Sequence, residues 1–184
     1  MQLQSLHDLF VEQLQDLYSA ETQLVQALPK MAAAASHEEL RDAFEQHLTE
    51  TRNHVTRLDT ILGQIGVAPG GETCKGMQGL IEEGKEMMEE DAEPDVLDAA
   101  LISAAQRVEH YEIAGYGSVR TYAMELGYDE QAQLLQQTLD EEGETDKLLT
   151  EIATSHVNEL AQSTDDGEET EEEEERPSRS RRRR

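Results

Sequence analysis

Four long segments of the chain carry apolar residues with the spacing of an α-helix, and acidic residues interrupt each apolar stripe. The first stripe has Glu21 among its leucines, and the third has Glu112 between Val108 and Val119. Side chains three and four residues apart share one face of a helix, and an apolar face packs into the core. A carboxylate on that face costs several kcal/mol unless a cation or hydrogen-bond partner compensates it. We therefore expect helices packed around a shared polar centre.

Strand signals are nearly absent from the sequence. The 184 residues include two Phe and no Trp, and no stretch sustains the alternation of apolar and polar residues that strands show. Ala, Leu, Glu and Gln favour helix. We predict an all-α, antiparallel four-helix bundle of two helix hairpins, with a short extra helix in the long connection and a disordered C-terminal tail.

Turn and capping signals divide the chain. Ser36 with Glu39 predicts a capping box at the start of the second helix, and Gly127 predicts the end of the fourth. The bundle is predicted to occupy residues 1–162, and a disordered tail residues 163–184. The predicted helices cover about residues 3–35, 36–65, 75–90, 95–126 and 129–160.

The charge distribution limits the partners of the chain. A net charge of −26 is typical of a salt-adapted or simply an acidic protein, and it argues against nucleic-acid binding by the bundle. The tail has a glutamate run followed by RPSRSRRRR. Arginines can bind nucleic acid, but here the glutamates neutralise them, so we expect a solvating or self-associating tail instead. A homodimer is the default expectation for the bundle.

The sequence also predicts a cellular location. The N-terminus lacks the basic and apolar regions of a secretory signal, and no stretch approaches about eighteen uninterrupted apolar residues. Cys74 is the single cysteine, which excludes an intramolecular disulfide and fits a reducing compartment. We expect a cytoplasmic protein with no membrane segment.

Several acidic residues and histidines share helix faces at spacings of three or four residues, as Glu50 does with His54. Carboxylate oxygens with an imidazole nitrogen suit iron or manganese, and the lack of clustered cysteines argues against structural zinc or an iron–sulfur cluster. Bridging carboxylates can hold two cations close together. The candidate metal ligands are Glu21, Glu50, His54, Glu112, Glu142 and Asp146. Candidate additional ligands or hydrogen-bond partners of ligands are Glu109, His47, Tyr18 and Tyr111.

Other roles remain open for these residues. The glutamates could form an ion-pair network with arginines, for which Arg52, Arg57, Arg107 and Arg120 are the candidates. His54 could be a hydrogen-bonded core histidine, and the tyrosines could serve core packing. An inward-facing Arg107 or Arg120 would favour the ion-pair network.

Four stretches of the chain carry a family resemblance. DLYSAETQL, HLTETRNHV, RVEHYEIAGYGSVRTYA and LDEEGETDKLL resemble the ferritin-like superfamily, specifically its YciE/YciF branch, over about residues 4–160. The resemblance implies a ferritin-like bundle whose cofactor is two iron ions, with manganese or another divalent metal as alternatives. It aligns Glu50 with His54, and Glu142 with Asp146, on the superfamily's two Glu-x-x-His motifs. The spacing here is four rather than three, and Asp146 replaces the second histidine.

The predicted function follows from this resemblance and the candidate ligands. We expect a di-metal carboxylate protein that oxidises Fe(II) with dioxygen or peroxide in stress protection. The alternative is a non-catalytic helical bundle that acts by self-association or metal sequestration. The sequence leaves open whether the chain is a ferroxidase-type oxidoreductase.

Overall fold

A computed structural model describes residues 3–163, all of whose regular secondary structure is helical. A π-helical turn, Ala153–Val157, follows the fifth α-helix directly, and residues 158–163 continue as helix. The α-helices are α1 Leu6–Ala34, α2 Glu38–Gln64, α3 Lys75–Glu89, α4 Pro94–Glu125 and α5 Asp129–Ile152. Except for Ser163, the predicted tail lies outside the described residues.

The long helices form the predicted bundle of two hairpins. α1 packs on α2 and α4 packs on α5, and the hairpins join through α1 with α4 and α2 with α5. The joined helices run antiparallel, because Ser36 after the end of α1 meets Asp98 near the start of α4, while Leu17 lies against Gly115. α3 lies outside this square against α1 and α4. Gly127 has φ +77° after the end of α4, which confirms the predicted stop.

Two apolar clusters fill the bundle, one toward each end. One contains Leu24, Phe44 and Leu101, and the other contains Phe10 and Ile61. On α2, α4 and α5, buried polar residues separate the stretches that belong to the two clusters, and on α1 Glu21 lies next to the boundary between them. The interior therefore has a polar layer at its middle. That layer comprises Glu21, His47, Thr51, His54, Glu109, Glu112, Glu142 and Thr145.

The start of α2 corrects the predicted capping box. His37 is the N-cap residue of α2 and makes no side-chain capping bond. The buried Asp98 of α4 instead accepts hydrogen bonds from the backbone nitrogens of Ser36 (2.9 Å) and His37 (2.8 Å), and from the Ser36 hydroxyl (2.6 Å). A tertiary contact has replaced the local motif, and it ties the start of one hairpin's second helix to the other hairpin.

Replacing Asp98 by Ala is expected to lower the free energy of unfolding by about 2–3 kcal/mol, because two backbone nitrogens and the Ser36 hydroxyl lose their buried acceptor. Asp98→Asn keeps one acceptor oxygen and should lose less. Urea unfolding of both variants measures the difference. An alanine variant within about 0.5 kcal/mol of the original chain would contradict this role.

No helix among residues 3–163 is both long and apolar enough to cross a membrane.

Candidate metal centre

The polar layer contains two groups of buried side chains whose ligand atoms lie within 4.8 Å of one another. Such a group can hold a cation. We name them the His54 subsite, made of Glu21, His54 and Glu142, and the His47 subsite, made of His47, Glu109, Glu112 and Glu142. Both hairpins contribute to each subsite, and Glu142 belongs to both.

Glu142 presents one carboxylate oxygen to each subsite. Its Oε1 lies 3.1 Å from Nδ1 of His54, and its Oε2 lies 3.8 Å from Nε2 of His47. The same His54 nitrogen is 3.3 Å from Glu21, and the same His47 nitrogen is 3.2 Å from Glu109. In a two-metal centre, Glu142 would therefore belong to the ligands of both ions.

Most of the polar atoms that face this centre are buried without a hydrogen-bond partner. Buried polar groups in native proteins are nearly always hydrogen-bonded, so a cluster of exceptions requires an explanation. Metal ions satisfy such lone pairs, and a donor set of carboxylate oxygens with two imidazole nitrogens suits iron or manganese. The residues therefore fit a metal pair. The eight atoms are Glu21 Oε2, His47 Nε2, His54 Nδ1, Glu109 Oε2, and both carboxylate oxygens of Glu112 and of Glu142.

The electrostatics of the centre also require positive charge. Burial, followed by repulsion from Glu21 and Glu142, raises the pKa of Glu112 well above its usual value. Burial alone would lower the pKa of His54, but its contacts with Glu142 and Glu21 outweigh this and raise the pKa to about 10. Without metal, the centre therefore retains protons, and metal ions that take these ligands must displace them.

Arginine does not supply the missing charge. Within residues 3–163, no Lys or Arg forms an ion pair with a carboxylate of either subsite; Arg107 is half exposed and faces Glu83 at 3.6 Å. The carboxylate that Arg57 contacts is that of Glu141, which lies outside the subsites. The ion-pair network lacks its cations in this part of the chain.

The structure brings four predicted ligands together and leaves two outside. Glu21, His54, Glu112 and Glu142 lie in the subsites. Glu50 is 28% exposed on the flank of α2, where it accepts a hydrogen bond from Gln46. The inward face of α2 passes through His47 and His54, two turns apart, and Glu50 is rotated away from it. As a metal ligand, Glu50 stays a prediction.

Asp146 is likewise on the flank of α5. It accepts a hydrogen bond from Gln106 at 3.0 Å and lies 3.3 Å from His110 Nε2. The structure gives the corresponding places in the centre to His47 and Glu109, which the sequence suggested only as additional residues. The seven-residue spacing from His47 to His54 is the signal that indicates a shared face.

The two tyrosines named in the sequence analysis both pack against the apolar clusters, as the core-packing alternative expects. Tyr111 donates to Asp16 at 2.8 Å rather than to a ligand of the centre, and Tyr18 packs against an apolar cluster. Tyr116, which the sequence analysis missed, is fully buried and donates to Glu21. It lies one turn beyond Glu112 on the face of α4 that meets α1. Close approach there needs Gly115, because a Cβ at that position would lie 2.8 Å from Leu17 Cδ2.

The family of the chain follows from a match over most of its length. A family model described as "Domain of unknown function (DUF892)" matches residues 5–162. The chain belongs to the DUF892 family. The matched range includes every residue of both subsites, so the centre lies within the family domain.

The chain is also similar to proteins described under other names. Protein YciF of Escherichia coli K12 is 45% identical over 164 residues, which cover 89% of this chain and 99% of YciF. The crystal structure described as the E. coli stress protein YciF has a TM-score of 0.81 at 46% identity and covers 84% of this chain and 98% of that one. Structures described as ferritin-like, diiron-carboxylate proteins from Bacillus anthracis give a TM-score of 0.62 at 17% identity, with coverage of 79% and 95%. The last comparison shows the fold alone, and it confirms the predicted ferritin-like bundle.

Proposed function

We propose that this DUF892 protein binds two divalent metal ions, with iron the first candidate, and oxidises Fe(II) with dioxygen or peroxide in stress protection. The observation that carries the proposal is Glu142, whose two oxygens face two different histidines. Each histidine has at least one further carboxylate within about the same distance. Manganese or another divalent metal suits the same donors.

The charge of the centre favours two ions over one. The four buried carboxylates carry four negative charges when ionised, which equals the charge of two divalent cations. One divalent ion would leave two buried negative charges, each costing several kcal/mol unless protonated. Two ions give a neutral centre around neutral histidines.

The residues have distinct tasks in this proposal. A bound iron pair would supply the one-electron steps by which Fe(II) reduces dioxygen or peroxide. The four carboxylates would hold the two ions close together and balance the charge of the divalent pair. The phenol of Tyr116 orients Glu21 through its hydrogen bond, and the apolar clusters on both sides keep bulk water from the centre.

The stress role rests on similarity. YciF, at 45% identity over nearly its whole length, is described as a stress protein. Removal of Fe(II) together with peroxide or dioxygen is a chemistry that fits such a role. Metal sequestration without oxidation is the alternative that the same ligands support.

The test is to measure metal content and oxidation separately. We expect elemental analysis to find two iron ions per chain after anaerobic loading, and a ferrous chelator to report loss of Fe(II) after air or peroxide is admitted. Glu142→Ala should leave fewer than two ions and slow oxidation more than about tenfold, because the shared ligand is gone. Glu144→Ala, which changes an exposed glutamate on the same helix, is the matched control.

The possible results test metal binding and oxidation separately. Two bound ions without oxidation would replace the oxidase with sequestration. A chain that takes up no divalent metal, or a Glu142→Ala variant that loads and oxidises like the Glu144→Ala control, would overturn the proposal.

A further inference from the structure

The outward-facing nitrogen of His54 has a carboxylate partner. Nε2 of His54 lies 2.8 Å from Oε2 of Glu141 in hydrogen-bond geometry, while Nδ1 faces Glu21 and Glu142 inside the centre. A carboxylate accepts a proton, so Nε2 carries the hydrogen and Nδ1 is the nitrogen left to bind metal. Glu141 thus selects which His54 nitrogen faces the ion.

Glu141 is itself held in place from two helices. Arg57 of α2 contacts both of its oxygens, at 2.9 Å and 3.2 Å, and also donates to the hydroxyl of Thr138. Gln137 donates to Oε1 at 3.1 Å. The Arg57 side chain is only 11% exposed, so solvent competes weakly for this pair. The position of the carboxylate, and with it the ring of His54, is therefore fixed.

His47 has a weaker arrangement on its outer side. Its Nδ1 lies 3.2 Å from the hydroxyl of Thr145, a neutral group, and 3.6 Å from the nearest oxygen of Glu50, beyond hydrogen-bond distance. Glu50 is held by Gln46 of its own helix and lacks an arginine partner in the described chain. Glu50 and Glu141 are nearly equally exposed, at 28% and 27%, so their contacts rather than their exposure distinguish the two glutamates.

We propose that Glu141, held by Arg57, is a positioning residue that strengthens metal binding at the His54 subsite and leaves the His47 subsite unaffected. The inference rests on the proposed two-metal function. A carboxylate behind a metal-binding histidine fixes its tautomer and raises its basicity, and loss of such a partner typically lowers metal affinity about 10- to 100-fold. The structure assigns that partner to one half of the centre.

The first experiment compares Glu141→Gln with Glu144→Gln, which changes an exposed glutamate of the same helix. Titration of Co(II) into metal-free protein, followed by visible absorbance and calorimetry, resolves the two binding events. We expect Glu141→Gln to weaken one event about 10- to 100-fold and to change the other less than about threefold, whereas Glu144→Gln changes neither by more than that. Glutamine still accepts from Arg57, and equal melting temperatures of the metal-free variants show that the fold is kept.

The second experiment identifies the affected ion. His54→Ala removes the His54 ligand, so adding Glu141→Gln to it should change the remaining Co(II) affinity less than about twofold. In the Zn(II)-loaded original chain, ¹⁵N NMR should show the ring hydrogen of His54 on Nε2, and Glu141→Gln should speed its exchange with water. A residue that merely supports the bundle would not produce this dependence on His54.

The outcomes distinguish this inference from the proposed function. If the original chain binds no Co(II), the two-metal proposal fails. If it binds two ions but Glu141→Gln weakens both equally, or neither, or weakens binding just as much in the His54→Ala background, the positioning role alone is overturned.

Discussion

Replacement of Glu112 by Gln is expected to stabilise the metal-free protein above pH 7 while weakening metal binding more than about 100-fold. Burial and the neighbouring carboxylates raise the pKa of Glu112 well above 4.5 in the folded chain. Its contribution to stability is therefore full below about pH 4.5 and is lost as pH rises through the raised pKa. Glutamine copies the protonated form at every pH. We expect a gain on the order of 1–3 kcal/mol at pH 8 by urea unfolding with a chelator present.

The matched control is Glu125→Gln, which removes one exposed negative charge from the same helix. It should change stability by less than about 0.5 kcal/mol and leave metal binding intact. The two effects of Glu112→Gln must occur together. A destabilised metal-free Glu112→Gln variant at pH 8, or one that still binds two ions tightly, would mean that this carboxylate does not belong to a metal centre.

The metal-free protein is expected to lose stability as pH rises from about 6.5 to about 10, and bound metal should largely remove this dependence. Contacts with Glu142 and Glu21 raise the pKa of His54 from 6.5 to about 10 in spite of burial, which opposes the shift. A group whose pKa is raised by folding stabilises the folded state fully at pH values below its unfolded pKa. This stabilisation is lost as the pH rises through its folded pKa. The shift corresponds to about 3–5 kcal/mol across this range. A metal ion held by His54 would keep its ring neutral across this range.

Surface repulsion predicts a pH trend of the same sign, because the chain carries a net charge of −26. Salt separates the two causes, since about 0.5 M salt screens exposed charges far more than buried pairs. Thermal unfolding at several pH values, with and without Zn(II), measures this dependence. In high salt, the metal-free protein should still lose most of the same stability as the pH rises. If salt abolishes the pH dependence of stability, or if Zn(II) leaves it unchanged, repulsion between exposed charges and not His54 would be its cause.

Much of the fold could be predicted from the sequence because helix periodicity is a local property. The apolar stripes predicted the four long helices, and Gly127 predicted the end of α4. Glu21 and Glu112 were recognisable because each interrupts a stripe of core residues. A carboxylate between leucines or valines at helical spacing lies on the helix face that packs into the core.

The parts that could not be predicted depend on contacts between helices. Glu50 and Glu142 look equivalent in sequence, but the rotation of α2 in the bundle turns His47 inward and Glu50 outward. The hydrogen bond from His54 to Glu141 and the capping of α2 by Asp98 join residues more than 60 positions apart. No local spacing encodes such pairs. The predicted homodimer and the role of the tail stay predictions.

The two hairpins share every candidate ion, since Glu21, His47 and His54 come from one and Glu109, Glu112 and Glu142 from the other. Neither hairpin can assemble a subsite by itself, so bound ions would join the two hairpins in addition to the histidine–carboxylate contacts and the apolar clusters. A chain made during iron scarcity would open more often and offer its backbone to proteases. The lifetime of this protein would then follow the metal supply of its cell.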